Sequence, residues 1–332
     1  MPTELQYLLL RDASRDLAIE LRDNGPIALS ENPPVVLRRP SVTSSSFLET
    51  MFNESQVRAA LTAVQGSVAL AYSYNPEVVP QDRARETLTH THLAFQLVKP
   101  TPLFAEYWLR VDDAGRIASS SKDLAWIHIN RPLPCLWYQQ HHQIIHDDVE
   151  AVKRLLPKLF LAFAPTTVSG SWGHPCGPVH RALVMFAEGY LTEMFSELRP
   201  FLWAMGLDCL FASRLNRKRQ GSAAIGQRLQ KLFGPAFEPY NTVSIPVHQN
   251  RPAHKLRNVV KDIFTFRNAC AHGLPIPDAW LTPAGCQIWE GYAYQICECT
   301  EILLRQTLLR ILNDQQMFDV FVDSAKLDVY FG

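Results

Sequence analysis

VVKDIFTFRNACAHG, residues 259–273, is the stretch on which the reading of this chain turns. Leu256, Val259, Val260, Ile263 and Cys270 share one face of a 3.6-residue period, so the segment reads as an amphipathic helix. Arg267 falls one turn after Ile263, in the middle of that face. A guanidinium cannot be deprotonated, and burying it unpaired is very costly. It therefore calls for an anionic partner, a protein interface or a phosphate. Asn268 adds beside it an amide able to donate and to accept. Further along comes His272, the residue type whose unperturbed pKa lies nearest neutrality. Gly273, the usual left-handed terminator, and Pro275 then predict that the helix ends near His272, which frees the ring from the apolar stripe.

Outward from this segment the chain keeps a helical period back to about residue 148. DDVEAVKRLLPKLFLAFA opens the region and is expected to break or kink at Pro157. After a loop rich in Thr, Ser, Gly and Pro (166–178), Val179, Leu183, Phe186, Tyr190, Met194 and Leu198 mark a helix. Phe201 to Phe211, residues 222–233 and residues 253–271 give three more. Trp289, Tyr292, Ile296, Cys299, Leu303, Leu308 and Ile311 trace a long last helix, and Phe318–Phe331 closes the chain with β-like alternation. Antiparallel helices around one core are the economical arrangement.

Residues 1 to about 148 read differently. VVLRR (35–39), SVALAYSY (67–74), HLAFQLVK (92–99), EYWLRV (106–111) and AWIHIN (125–130) are short β-branched or aromatic runs between Pro, Gly, Asp and Ser. VDDAGRI is a hairpin turn by its Asp112, Asp113 and Gly115, and helical pieces at about 13–23 and 54–64 interrupt the strands. The expected fold is α+β: a strand-rich mixed domain over 1–148 and an all-α bundle over 149–332.

Bulk properties bound the function. At 332 residues the chain is long enough for about two domains, and 47% hydrophobic residues against 19% charged provide real cores. The formal net charge is zero, so any nucleic-acid binding has to come from a local patch. The start lacks a basic n-region and no run of about 18 apolar residues occurs, which predicts a cytoplasmic protein without a membrane span. Seven cysteines without a Cys-x-x-Cys pair read as reduced core thiols. His141, His142, His146, Asp147 and Asp148 cluster without the spacing of a metal site and read as a polar linker or helix start. No metal and no cofactor is expected.

Arginine, a gap of four to six residues, then histidine is a weak pattern; about two chance matches are expected in such a chain. Arg85 with His90 and His92 supplies them at the start of HLAFQLVK, and they read as surface residues. Arg267 and His272 differ in context, because the arginine is core-facing. Two readings remain open. In one, Arg267 holds phosphate and His272 moves protons; in the other, Arg267 pairs with a buried acid such as Asp208 and His272 caps a helix C-terminus.

The helical half resembles the HEPN superfamily, most closely the Apea-like HEPN domains of bacterial defence proteins. The likeness rests on GLDCLFAS (206–213), SAAIGQRLQKLFG (222–234) and VVKDIFTFRNACAHG (259–273), and covers roughly 178–312. The family motif is Arg, a polar residue often Asn, a short gap, then His; Arg267, Asn268 and His272 match it, while Asp208 stands where the family usually has Glu. HLAFQLVKPTPLFAEYWLRV is also similar, more loosely, to the region preceding such domains. The resemblance implies a four- or five-helix domain that dimerises and cleaves RNA without metal, in anti-phage defence or abortive infection. It further implies a phage-derived or nucleotide trigger at the first domain. Helical geometry separates Arg267 and His272 by about 140° and about 7.5 Å, so one chain converges them poorly and two copies around a two-fold converge them better.

In that reading His272 acts as general base or acid on the ribose 2′-hydroxyl or the leaving 5′-oxygen, and Arg267 holds the scissile phosphate. Asn268 orients phosphate or histidine. A landing surface for RNA is offered by Arg214, Arg217, Lys218, Arg219, Arg228 and Lys231, since no acid occurs between Asp208 and Glu238. The plain alternative is a solvated basic loop. Competing classes are a catalytically idle dimeric adaptor and a toxin held silent by a partner protein.

Overall fold

Strand β1 (Glu4–Leu10) lies inside a six-stranded sheet of order β2-β3-β4-β1-β5-β6, all neighbours antiparallel. The others are β2 (Ile27–Glu31), β3 (Pro34–Arg38), β4 (Val68–Tyr74), β5 (Ala105–Val111) and β6 (Ile117–Ser120). In this computed structural model the described residues are 4–10, 13–44, 49–50, 53–99, 105–120, 143–164, 175–191, 198–211, 221–234, 256–274 and 292–331. They divide into two units, one of Met1–Leu133 with Gln140–Phe160, the other of Pro134–Gln139 with Leu161–Gly332.

In the first unit, β1 is buried from Gln6 to Leu10 because both faces of the sheet are covered. Tyr7 and Leu9 face a core with Ala69, Ala71, Leu109 and Val111, closed by Val57 and Val64 of α2 (Glu54–Gly66). The opposite face carries α3 (Gln81–Val98), which packs on β4 and β1. Helix α1 (Arg15–Asp23) starts on the cap Ser14, whose Oγ accepts from Leu17 N. The β5–β6 turn forms as expected: Asp112 Oδ1 accepts from Ala114 N and Arg116 N, and Gly115 takes φ 79°.

HLAFQLVK is helix, not strand. A short apolar run does not distinguish the two, and Thr87, Thr89 and Thr91 return their hydroxyls to the carbonyls one turn earlier along α3. The expectation of surface residues fails for His92, which is 7% exposed on this helix. AWIHIN lies outside the described residues. Helix α4 (His146–Ala162) runs through Pro157 uninterrupted, with Val149, Val152, Leu155, Leu156 and Leu159 all buried. The unit boundary falls at Phe160 and not near 148, because the start of α4 is fastened to the sheet unit: Lys99 Nζ sits 2.6 Å from Asp148, and Ser14 N donates to Ile144 O. Of the histidine cluster, His146 meets Glu20 at 3.1 Å, while His141 and His142 lie outside the described residues.

The second unit holds α5 (Gly177–Leu191), α6 (Leu198–Phe211), α7 (Ser222–Phe233), α8 (Leu256–His272), α9 (Tyr292–Asn313), α10 (Gln315–Val322) and α11 (Ser324–Phe331). Helix α6 touches α5, α7, α8 and α9, which suits a sequence apolar on every side. The tail is helical, not β-like: Asp314 caps α10 by accepting from Met317 N, and Asp323 accepts from Ala325 N at the start of α11. Inside the unit, Glu301 and Arg305 pair at 2.8 Å on α9, and Tyr190 donates to the same carboxylate oxygen. Burial and Glu301 push the Tyr190 phenol well above its ordinary range.

The α5–α6 contact is close because Gly189 lies against the Trp203 indole, whose Nε1 donates to Phe186 O at 3.1 Å. A methyl group at Gly189 would enter that ring. Gly189→Ala is expected to cost about 1–3 kcal/mol in urea unfolding. Gly206→Ala should cost less, since it meets only the tip of Leu304, a side chain that can turn away.

Candidate functional site

Helix α8 buries Leu256, Val259, Val260, Ile263, Phe264, Phe266 and Ala269 against α6, α7 and α9. Arg267 lies within that face, as its spacing requires, with its side chain still 24% exposed. Its Nη2 donates to Asp208 Oδ2 at 3.1 Å and to Met205 Sδ at 3.2 Å, both on α6. Its Nη1 donates to Asn268 Oδ1 at 2.8 Å. Its Nε is buried and has no acceptor. The guanidinium is thus held on two sides, with its Nε among the donors left over.

Asp208 is the only acid on α6, and its side chain is 32% exposed. Burial raises its carboxyl above the usual carboxylate range, and the nearby charge of Arg267 offsets only part of that rise. The pair is therefore neither a sealed core ion pair nor a free surface one. Met205, one helical turn before Asp208, was not singled out from the sequence; the i, i+3 spacing to a site acid is the signal that could have found it.

α8 ends where the glycine predicts. Gly273 takes φ 60°, and Leu274 N closes the turn by donating to Ala269 O at 2.9 Å. His272, the last helical residue, is exposed, as is Asn268. No hydrogen bond or ion pair joins His272 to Arg267, whose donors go to Asn268, Asp208 and Met205. The anionic partner foreseen by the plainer reading, Asp208, is present. The imidazole and the guanidinium nevertheless both keep access to solvent near one end of α8.

The basic surface expected from Arg228 and Lys231 takes another form. The Arg228 guanidinium is 7% exposed; it donates to Phe211 O and to Asp328, both at 2.7 Å, and lies over the Phe331 ring. Burial of α7 against the C-terminal helix turns this arginine inward, so it offers no surface cation. Lys231 donates to Tyr330 O and stacks over that ring, with its ammonium at an exposed position. Arg214, Arg217, Lys218 and Arg219 lie outside the described residues.

Among the described residues, no group of three His, Cys, Asp or Glu side chains could hold a metal ion, and no helix is long and apolar enough to cross a membrane. The chain matches no family model, and no curated protein or solved structure is significantly similar to it.

The raised Asp208 carboxyl gives a signed expectation. A group that binds its proton more tightly folded than unfolded stabilises the fold below its unfolded pKa, 3.8, and loses that contribution as pH rises through the folded value. Asp208→Asn cannot ionise. Its stability relative to the native chain is expected to increase as pH climbs from about 4 toward neutrality, read as the difference in urea midpoints. A variant-minus-native midpoint that falls over that range would contradict the assignment.

Proposed function

We propose that the helical unit is a HEPN-type, metal-independent endoribonuclease. The observation that carries this reading is the partly exposed Arg267, placed on the core face of α8 and left with a buried, unused Nε donor. A purely structural ion pair is better served by two saturated partners. Here Asp208 and Asn268 hold the fork in place while its solvent edge stays available. A phosphodiester would compete for the guanidinium with a single-contact carboxylate that burial already disfavours as an anion.

His272 is the proton-transfer group of the proposal. At the exposed end of α8 it can take a proton from the ribose 2′-hydroxyl or give one to the leaving 5′-oxygen. The attacking 2′-oxygen forms a bond to phosphorus as the 5′-oxygen leaves, giving a 2′,3′-cyclic phosphate. Arg267 stabilises the charge that grows on the phosphoryl oxygens. Since Arg267 and His272 are about 140° apart around the helix, the working site is composite: two copies about a two-fold place the arginine of one beside the histidine of the other. The HEPN resemblance supports this arrangement and a role in anti-phage defence.

A second reading is favoured by one specific contact, the 3.1 Å Arg267–Asp208 pair, which taken alone is what a catalytically idle dimeric adaptor would also contain.

His272→Ala and Arg267→Ala, assayed on structured and unstructured RNA in the presence of EDTA, are each expected to lose at least about a hundredfold in cleavage rate. The native chain should keep its rate in chelator and leave DNA intact. Undiminished cutting by either variant, or loss of native activity on chelation, would remove the mechanism. A dimer that leaves RNA whole would favour the adaptor.

A further inference from the structure

The α3-covered face of the sheet holds a polar group of residues that does not satisfy itself. Strand register sets Gln6 directly opposite Tyr72 on β4 and opposite Arg110 on β5, and sets Glu4 opposite Tyr74. Directly opposed residues share a face with their Cβ atoms about 4.5–5.5 Å apart. Tyr74 donates to Glu4 Oε2 at 2.9 Å, and Arg110 Nη1 stands 3.7 Å from Glu4 Oε1. Arg85 comes down from the second turn of α3, close enough for its charge to bear on the Tyr74 phenol.

Gln6 is 0% exposed, and neither its amide nitrogen nor its amide oxygen has a partner. The Nε atoms of Arg85 and Arg110 are also buried without an acceptor. The Arg85 guanidinium makes no hydrogen bond or ion pair with any described residue. A buried polar group that nothing meets is costly, so several gathered at one place on the sheet point to a bound partner. Guanidinium groups only donate, and an amide nitrogen only donates, so what is missing is chiefly acceptors. The charge points the same way, because two arginines face a single carboxylate. A lone water would supply lone pairs and leave that excess positive charge uncompensated.

From this juxtaposition we infer that the patch is a binding site for a small ligand carrying a phosphate or carboxylate group. Arg85 and Arg110 grip the oxyanion, Tyr74 and Glu4 hold Arg110 in register, and the Gln6 amide forms the floor. Entry is at the rim, where Arg110 is 34% and Glu4 21% exposed. Gln6 Oε1 accepts from a ligand hydroxyl or from a protonated phosphate oxygen. The site lies wholly in the first unit and does not depend on ribonuclease activity.

The test uses the full chain, with thermal unfolding followed in inorganic phosphate, in acetate and in chloride at matched ionic strength. Phosphate or acetate is expected to raise the melting temperature where chloride does not; response to one alone assigns the ligand's anionic group. Arg85→Gln should weaken the responding anion at least tenfold, Arg85→Lys by less, and Arg110→Gln serves as a second variant should either misfold. His272→Ala should bind the anion like the native chain, which keeps this result separate from that of the nuclease assay. Equal response to chloride, or full anion response in both Arg85→Gln and Arg110→Gln, would overturn the site. Gln6→Met that stabilises the chain with no anion effect in the native protein would do so too, and would leave a buried polar residue with a water.

Discussion

Helix α6 has helices on several sides, and the second unit is arranged around that fact. Trp203, Ala204, Leu207, Leu210 and Phe211 are almost fully buried, and the two charged side chains on the helix each need a specific answer. Arg199 finds one on α5, donating its Nε to Gly189 O while it lies over the Trp203 ring. Asp208 finds one in Arg267 of α8. Because that answer comes from another helix, the pair fixes the register of α8 against α6 as well as neutralising charge. The end of α8, with its exposed histidine, inherits its position from this contact.

Much of the helical unit is visible in the amino-acid order, for a physical reason. Helices buried on one face keep their period, so 222–233 and 256–272 lie where spacing predicts, and Gly273 marks the stop by its φ of 60°. Segments buried on both sides lose that signal. ELQYLLL carries no alternation because β1 is covered above and below, and HLAFQLVK presents a wide apolar surface that reads equally as strand. The tail misleads differently: its aromatic spacing resembles alternation, but Asp314 and Asp323 act as caps, and capping decides. A change of period likewise marks where helices begin without saying which core they join, so α4 belongs largely with the sheet.

The candidate site is legible to the extent that its residues obey local rules. Arg267 on a core face, an exposed His272 after it, and Asp208 as partner all follow from spacing and from the cost of an unpaired guanidinium. What could not be read is which cations stay on the surface. Arg228 belongs by sequence to a basic run, yet its partner Asp328 is a hundred residues away along the chain. Long-range pairing of that kind leaves no trace in local composition. The Gln6 patch escaped for the same reason: its members come from three strands and a helix, and only the strand register brings them together.

Counting donors separates arginines that complete the fold from those that leave it open. Arg228 has a carbonyl, a carboxylate and an aromatic face, and Arg305 has Glu301 inside the core; both are spent. Arg267 in the second unit, and Arg85 and Arg110 in the first, each retain a buried Nε with nothing to bond to. Folding alone gives no reason to keep such a group, because an apolar side chain of similar volume removes the penalty at little cost. Retention is therefore informative when the neighbours hold the arginine rather than saturate it, as Asn268 and Asp208 do for Arg267. Arg267 and Arg85 differ in what surrounds them. Arg267 is held by a carboxylate and an amide on the helical unit, whereas Arg85 stands with an amide, a phenol and a second arginine on the sheet.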